Sequence, residues 1–299
     1  MVTVKKLHPH FMAAIGDVDL TQPVSAAVFS EIEAAFNANA VLLFRDQPVT
    51  EAQQVAFSAL FGSLIPTTNY HREGEKSRLR RELADVSNID HKGQLLAADD
   101  DRRLHSQANQ LWHTDASFKH VPARCSLLSA HEVPPSSGET EFADLRAAYD
   151  ALREERKREI EGLVAEHSIL RSREQMGFAG YNEAARAELP PVQQVLTRVH
   201  PGSGRKTLYL AAHASHIIGW PVEKGRRLIE ALIAHATQPE FTYRHEWRVG
   251  DLIIWDNRCT MHRARPYEDL MHRRDMRRST VSDEINTVEA LGGTYASAL

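Results

Sequence analysis

The chain has 299 residues, of which 42% are hydrophobic and 25% charged, which predicts an ordinary buried core and rules out wholesale disorder. Its net charge of −4 and pI near 6.5 give no overall electrostatic reason to bind nucleic acid or an anionic membrane. Two cysteines, Cys125 and Cys259, imply no disulfide framework, no apolar stretch approaches the ~18 residues of a membrane span, and the charged opening segment is no secretory signal, so a cytoplasmic protein is expected.

No repeat, low-complexity tract or Pro/Gly/Ser linker divides the chain, so 1–299 reads as a single domain. Val24, Phe29, Ile32, Ala35 and Phe36 fall at helical spacing, and the apolar run 40–44 (AVLLF) that follows predicts a buried strand. Thr50 with Gln53 has the form of a capping box opening a helix that carries Val55, Phe57, Leu60 and Phe61, with Gly62 placed to end it. Residues 71–82 (HREGEKSRLRRE) are dense in both charges, which fits either a solvated loop or a mobile lid beside a site. A helical stripe is expected from Asp144 to about Glu166 and another from about Val222 to Ala236, with strands at 206–210, 252–255 and 278–281. Short strands interspersed with a few helices predict a mainly β chain, a sandwich or jelly roll decorated by helices, and argue against a doubly wound parallel sheet.

Two separated fragments carry the chemistry. His113 and Asp115 are two apart, and on a strand they would share one face while Thr114 points away. A distal His262 follows the apolar run 252–255 and a turn at Asp256-Asn257. Two imidazoles and one carboxylate are the ligands of a facial triad, which leaves positions open on a non-haem Fe(II) for a co-substrate and oxygen. The pattern alone is weak, because the chain has 16 histidines and His71-Arg-Glu73 repeats it. Leu111, Trp112 and Phe118 beside the first candidate can form the dry wall that a metal site needs, whereas His71 lies among charges. Zinc suits the same ligands, but a zinc hydrolase leaves no role for the arginines Arg273, Arg274, Arg277 and Arg278. On a strand, Arg274 and Arg278 would share a face and could hold two carboxylates by their planar forks, against the alternative of a solvated patch pairing with Glu268, Asp269 and Asp275.

The runs 111–118 (LWHTDASF), 138–150 (GETEFADLRAAYD), 255–263 (WDNRCTMHR) and 273–280 (RRDMRRST) resemble the taurine dioxygenase family of Fe(II)/2-oxoglutarate-dependent dioxygenases. Within it, 200–206 (HPGSGRK) and 211–216 (AAHASH) are most similar to the branch acting on 2,4-dichlorophenoxyacetate, and the resemblance spans about Leu7 to Val281. It implies a double-stranded β-helix with His113, Asp115 and His262 on iron, Thr140 and Arg274 on the distal carboxylate of 2-oxoglutarate, and Arg278 on the substrate carboxylate. His200, His213 and His216 map to the substrate side, each weighed against an ordinary surface histidine, and His71 falls where the relatives tend to carry an acid-holding lysine. Trp112, Phe118 or Trp220 could wall the ring. The implied reaction uses Fe(II), 2-oxoglutarate and O2 to hydroxylate the carbon beside an aryloxyacetate's ether oxygen, giving phenol, glyoxylate, succinate and CO2. The implied partners are a small carboxylate and further copies of the chain. The alternatives are a sibling acting on taurine or another small acid, a zinc hydrolase, and a non-catalytic metal-binding protein.

Overall fold

The computed structural model describes residues 1–67, 77–177, 186 and 189–293. Two apolar runs of the sequence lie within a seven-stranded sheet. Leu252–Asp256 and Val41–Phe44 are buried at every position and pair antiparallel, Leu252 opposite Phe44. A strand covered on both faces has no solvent side to alternate toward, so it reads as a continuous apolar run. Beyond Leu252–Asp256 come Ala123–Glu132, Asp275–Ser282 and the short edge strand Leu83–Asp85, while Ala13–Gly16 and Thr3–Lys6 complete the other edge.

Helices Ala26–Asn39 and Glu51–Ala59 cover one face of this sheet, setting Ile32, Phe36 and Phe57 against Phe44, Leu127 and Ile254. The second opens on the expected capping box, with Thr50 and Gln53 satisfying each other's backbone N–H groups. From the opposite face Leu43, Leu128, Ile253, Trp255 and Met276 cluster with Phe142. Phe142 belongs to Thr140–Asp144, the central strand of a three-stranded sheet flanked by Thr242–His245 and Thr260–Ala264. This second layer brings the segment bearing His262 over the first.

Two expectations are corrected. The stripe predicted from Asp144 to Glu166 is two short helices, Leu145–Asp150 and Glu154–Ile160, followed by strand Val164–His167. Gly162, at φ +71, turns the chain between the last helix and that strand. Helix and strand each account for 27% of the described residues, so the chain is mixed where mainly β was expected. Helix Val222–Ala236 matches the expected span, and no described helix is long and apolar enough to cross a membrane.

That helix lies against strand Ala214–Ile217 through Gly225, where a Cβ would stand 2.6 Å from the Ile217 backbone nitrogen. Alanine gains about 1 kcal/mol of helix propensity over glycine, whereas overpacking costs about 1–3 kcal/mol, and a backbone atom cannot swing aside. Gly225→Ala is therefore expected to lower the urea midpoint, the reverse of the usual glycine-to-alanine gain in a helix. An unchanged or raised midpoint would show that the helix can lift off the strand at little cost.

Candidate active site

His113 and His262 are joined by one isolated antiparallel bridge, each backbone N–H donating to the other's carbonyl at 3.0 and 2.8 Å. The first segment is no longer strand beyond it: Ala116, at φ 53, turns the chain immediately after Asp115. The same-face geometry expected of a strand is produced by local anchors instead. Thr114 is fully buried with its hydroxyl on the Leu210 and Thr260 carbonyls at 2.8 and 3.0 Å, and the Asp115 N–H donates to Asn257 Oδ1 at 3.1 Å.

His113, Asp115 and His262 thereby converge, with one donor atom from each inside a 4.8 Å span. The Nε2 atoms of His113 and His262 lie 3.9 and 3.7 Å from the two Asp115 oxygens. Those separations exceed a hydrogen bond, so the donors surround a gap. His113 donates its Nδ1–H to the Leu111 carbonyl at 2.8 Å, which fixes the tautomer and turns the Nε2 lone pair inward. Burial holds both imidazoles below their usual range, although the Asp115 charge opposes it. Burial would raise the Asp115 carboxyl, but the Arg278 guanidinium, helped by the Ser126 hydrogen bond, outweighs it and holds it at about 2. Neutral imidazoles beside a permanent carboxylate fit a divalent cation that takes nitrogen and oxygen ligands.

A second buried group, His200, Asp256 and Cys259, is as tightly clustered. There Arg258 takes both Asp256 oxygens at 2.9 and 2.7 Å and His200 donates Nε2–H to Oδ2 at 2.9 Å, so the carboxylate is already satisfied.

A cavity of about 530 Å³ opens beside the first group, with His113, Asp115, Phe118, His213, Arg274 and Arg278 in its wall. The arginine quartet divides in alternation, although Arg273 and Arg274 lie just ahead of the strand Asp275–Ser282 that was expected to include all four. Arg273 pairs with Glu132 and Arg277 with Glu51 and Asp275, while Arg274 and Arg278 reach the cavity. Arg278 Nη1 donates to Asp115 Oδ1 at 2.5 Å. Arg274 is buried and its side chain's single hydrogen bond among the described residues is a long one, 3.3 Å, to the Val86 carbonyl. Burial pulls its pKa down, with only Tyr267 opposing among the described residues. A buried guanidinium without an acid is costly unless a ligand supplies one.

The histidines of the substrate side separate. His213 lines the cavity, with its ring centroid 6.0 Å from that of His113 and 5.0 Å from Phe118. The expectations for His200 and His216 are corrected, since neither faces the cavity. His200 is committed to Asp256, and His216 turns to the Ser215 hydroxyl near Glu166. His71 lies outside the described residues. Thr140 sits just behind the wall, paired across the sheet with Ala264, a lining residue, and its Oγ1 accepts from Trp247 Nε1 at 2.9 Å. Of the three aromatic candidates Phe118 lines the cavity; Trp112 lies under the Arg263 guanidinium and Trp220 beside Lys224.

Sequence reasoning missed the groups that orient Asp115. Ser126 Oγ donates to its Oδ2 at 2.8 Å, and Asn257 bonds Ser126, the Trp255 indole and the Asp115 backbone at once. Asn257 left a signal, a buried-strand end entering a turn just before His262; Ser126 left none.

The taurine catabolism dioxygenase TauD, TfdA family model matches residues 3–280. An alpha-ketoglutarate-dependent 2,4-dichlorophenoxyacetate dioxygenase of Cupriavidus pinatubonensis (strain JMP 134 / LMG 1197) is 47% identical over 285 residues, 95% of this chain and 98% of that one. One of the same description from Burkholderia sp. (strain RASC) is 48% identical over 276 residues, 92% of each chain. Among solved structures, AAD-2 in complex with Mn(II) and N-oxalylglycine superposes with a TM-score of 0.88 at 44% identity, covering 96% of this chain and 99% of that one.

Proposed function

The chain belongs to the TauD, TfdA family of dioxygenases, and from that premise we propose that it is an Fe(II)- and 2-oxoglutarate-dependent oxidoreductase acting on aryloxyacetates. The observation that carries this reading is the gap bounded by two neutral imidazoles and Asp115 at the edge of a cavity holding a buried Arg274 with no acid partner among the described residues. His113, Asp115 and His262 would hold the iron, which together with 2-oxoglutarate and O2 supplies the oxidising chemistry. The paired layers would form the double-stranded β-helix of a single domain.

The protein's own task is to bind and orient. Arg274 supplies the fork for the distal carboxylate of 2-oxoglutarate, and Thr140, whose oxygen accepts from Trp247, keeps a hydroxyl hydrogen to donate to it. Arg278 steadies Asp115 through Nη1 and has its remaining fork for the substrate carboxylate. Phe118 and His213 offer an aromatic wall for the ring, with His213 held by Ser172 at 2.9 Å. Holding the acid at a fixed distance presents the methylene between carboxylate and ether oxygen to the metal side, and orientation of this kind is where a protein most lowers such a barrier. Hydroxylation there leaves a hemiacetal that breaks into the phenol and glyoxylate, while 2-oxoglutarate leaves as succinate and CO2. The same reading carries a cytoplasmic location and self-association, the latter read by sedimentation.

The test is succinate release by iron-loaded protein given 2-oxoglutarate and air with 2,4-dichlorophenoxyacetate, taurine or neither. Succinate and a phenol in equal amounts with the phenoxy acid alone is the expected result. Stimulation by taurine alone would move the chain to sulfonates, and iron binding without stimulation by any acid would end the reading.

A further inference from the structure

The cations around the cavity are not equivalent. Among the described residues Arg78 is held by Asp85 and Asp275 at 2.8 and 2.7 Å, Arg103 by Asp269 at 2.8 Å and Arg278 by Asp115 at 2.5 Å. Arg102 reaches Asp100, Arg173 bonds His105, and Arg265 lies in the field of Glu139. Two stand apart. Arg274 has no carboxylate, and neither has Lys119, whose side chain makes no hydrogen bond or ion pair among the described residues. Burial pushes the pKa of the Lys119 ammonium down, and no acid among the described residues offsets it. Its backbone is nonetheless fixed at both ends. The N–H donates to the Ala116 carbonyl at 2.9 Å and the carbonyl accepts from Gln194 Nε2 at 3.0 Å, which holds Lys119 in the turn that follows Asp115 and next to Phe118.

A half-buried ammonium with no counter-ion among the described residues, on a backbone anchored in a cavity wall, costs stability that a bound anion would return. Two cations unmatched among the described residues face one cavity, and the reaction brings two acids, 2-oxoglutarate through its distal carboxylate and the substrate. Arg274 lies deep and suits the co-substrate. Arg278 shares its charge with Asp115, so only part of its fork is free for the second acid.

We propose that Lys119 is a specificity-determining residue, supplying the uncompensated positive charge that selects a carboxylate-bearing substrate over a neutral ether. The inference rests on the function proposed above and deepens it. Lys119 works alongside the free part of the Arg278 fork and does not replace it.

The experiment is calorimetric titration of the Mn(II)- and 2-oxoglutarate-loaded protein with phenoxyacetate and with its uncharged amide, for the wild type and for Lys119→Met, Lys119→Gln and Lys119→Arg. Loss of a charged hydrogen-bond partner predicts that Met and Gln weaken phenoxyacetate by about 10- to 100-fold. The amide and 2-oxoglutarate should bind as before, and Lys119→Arg should restore most of the loss. In turnover the same variants should raise KM for the acid far more than they lower kcat. Equal weakening of acid and amide would reveal a packing role and overturn the proposal. So would an acid preference that survives in both Met and Gln variants. A wild type that binds 2-oxoglutarate but not phenoxyacetate would overturn the substrate reading as well, which separates the two failures.

Discussion

Asp115→Ala is expected to abolish turnover and to weaken Fe(II) binding by more than about 100-fold, the upper end of what the loss of a merely supporting group costs a metal site. Asp115 is the anionic member of the donor set, and it does two jobs. One oxygen accepts from Arg278 Nη1 at 2.5 Å and the other from Ser126 Oγ at 2.8 Å, while both lie under 4 Å from an imidazole Nε2. Alanine leaves two neutral imidazoles and a nearby guanidinium, which repels a cation. Unfolding is not the expected cause of the loss, since the Arg278 side chain keeps 25% of its surface in contact with solvent and can hydrate its freed group. Asn257→Leu makes the graded comparison. It removes the acceptor for the Asp115 N–H and the donor to Ser126 without touching the donor set, so a loss of about 10- to 100-fold in affinity is expected. Anaerobic equilibrium dialysis against Fe(II), with circular dichroism as the folding control, reads both. Native affinity in Asp115→Ala would remove Asp115 from the donor set and redirect attention to the cavity's other acids.

The difference between those two substitutions is also the difference between what was and was not legible in the sequence. His113, Asp115 and His262 could be singled out because metal chemistry restricts residue type, and because apolar runs flank them. The alternation that divides Arg274 and Arg278 from Arg273 and Arg277 was legible because a strand has a period of two. Ser126 carried no mark, since a serine in a buried strand looks like any small polar residue until its partner across space is known. The strand expected under His113 and Asp115 failed for a related reason. One bridge to His262 and the Thr114 hydroxyl hold that segment, and tertiary anchors of this kind leave no periodicity. The helix expected from Asp144 to Glu166 failed because the stripe continued through Gly162, where a positive φ redirects the chain. His200 and His216 were carried by resemblance of sequence alone, and burial against Asp256 and proximity to Ser215 decide their directions. Lys119 was passed over because a lysine has no periodicity to betray it; its lack of an acid partner among the described residues is visible only in space.

Arg274→Met should separate binding from stability, moving them in opposite directions. A guanidinium donating two charge-assisted hydrogen bonds to a carboxylate in a buried site is worth several kcal/mol, so KM for 2-oxoglutarate is expected to rise about 100-fold while kcat at saturation falls much less. In the ligand-free protein the same residue is a liability. It is buried, burial lowers its pKa, and its one long hydrogen bond to the Val86 carbonyl brings no negative charge. Methionine fills much of the volume with no charge to desolvate, so the ligand-free variant should melt at or above the wild-type temperature, and 2-oxoglutarate should no longer raise that temperature. A residue present only to hold the fold would behave otherwise: the pair Arg78–Asp275, matched at 2.7 Å, should lose stability when its arginine is replaced. If Arg274→Met instead melts well below the wild type with 2-oxoglutarate binding intact, the guanidinium serves the strand Asp275–Ser282 and its neighbours, and the co-substrate's distal carboxylate must be held elsewhere in the cavity. Loss of binding together with retained or raised stability has one physical source, a charge kept buried and unmatched for the sake of a ligand.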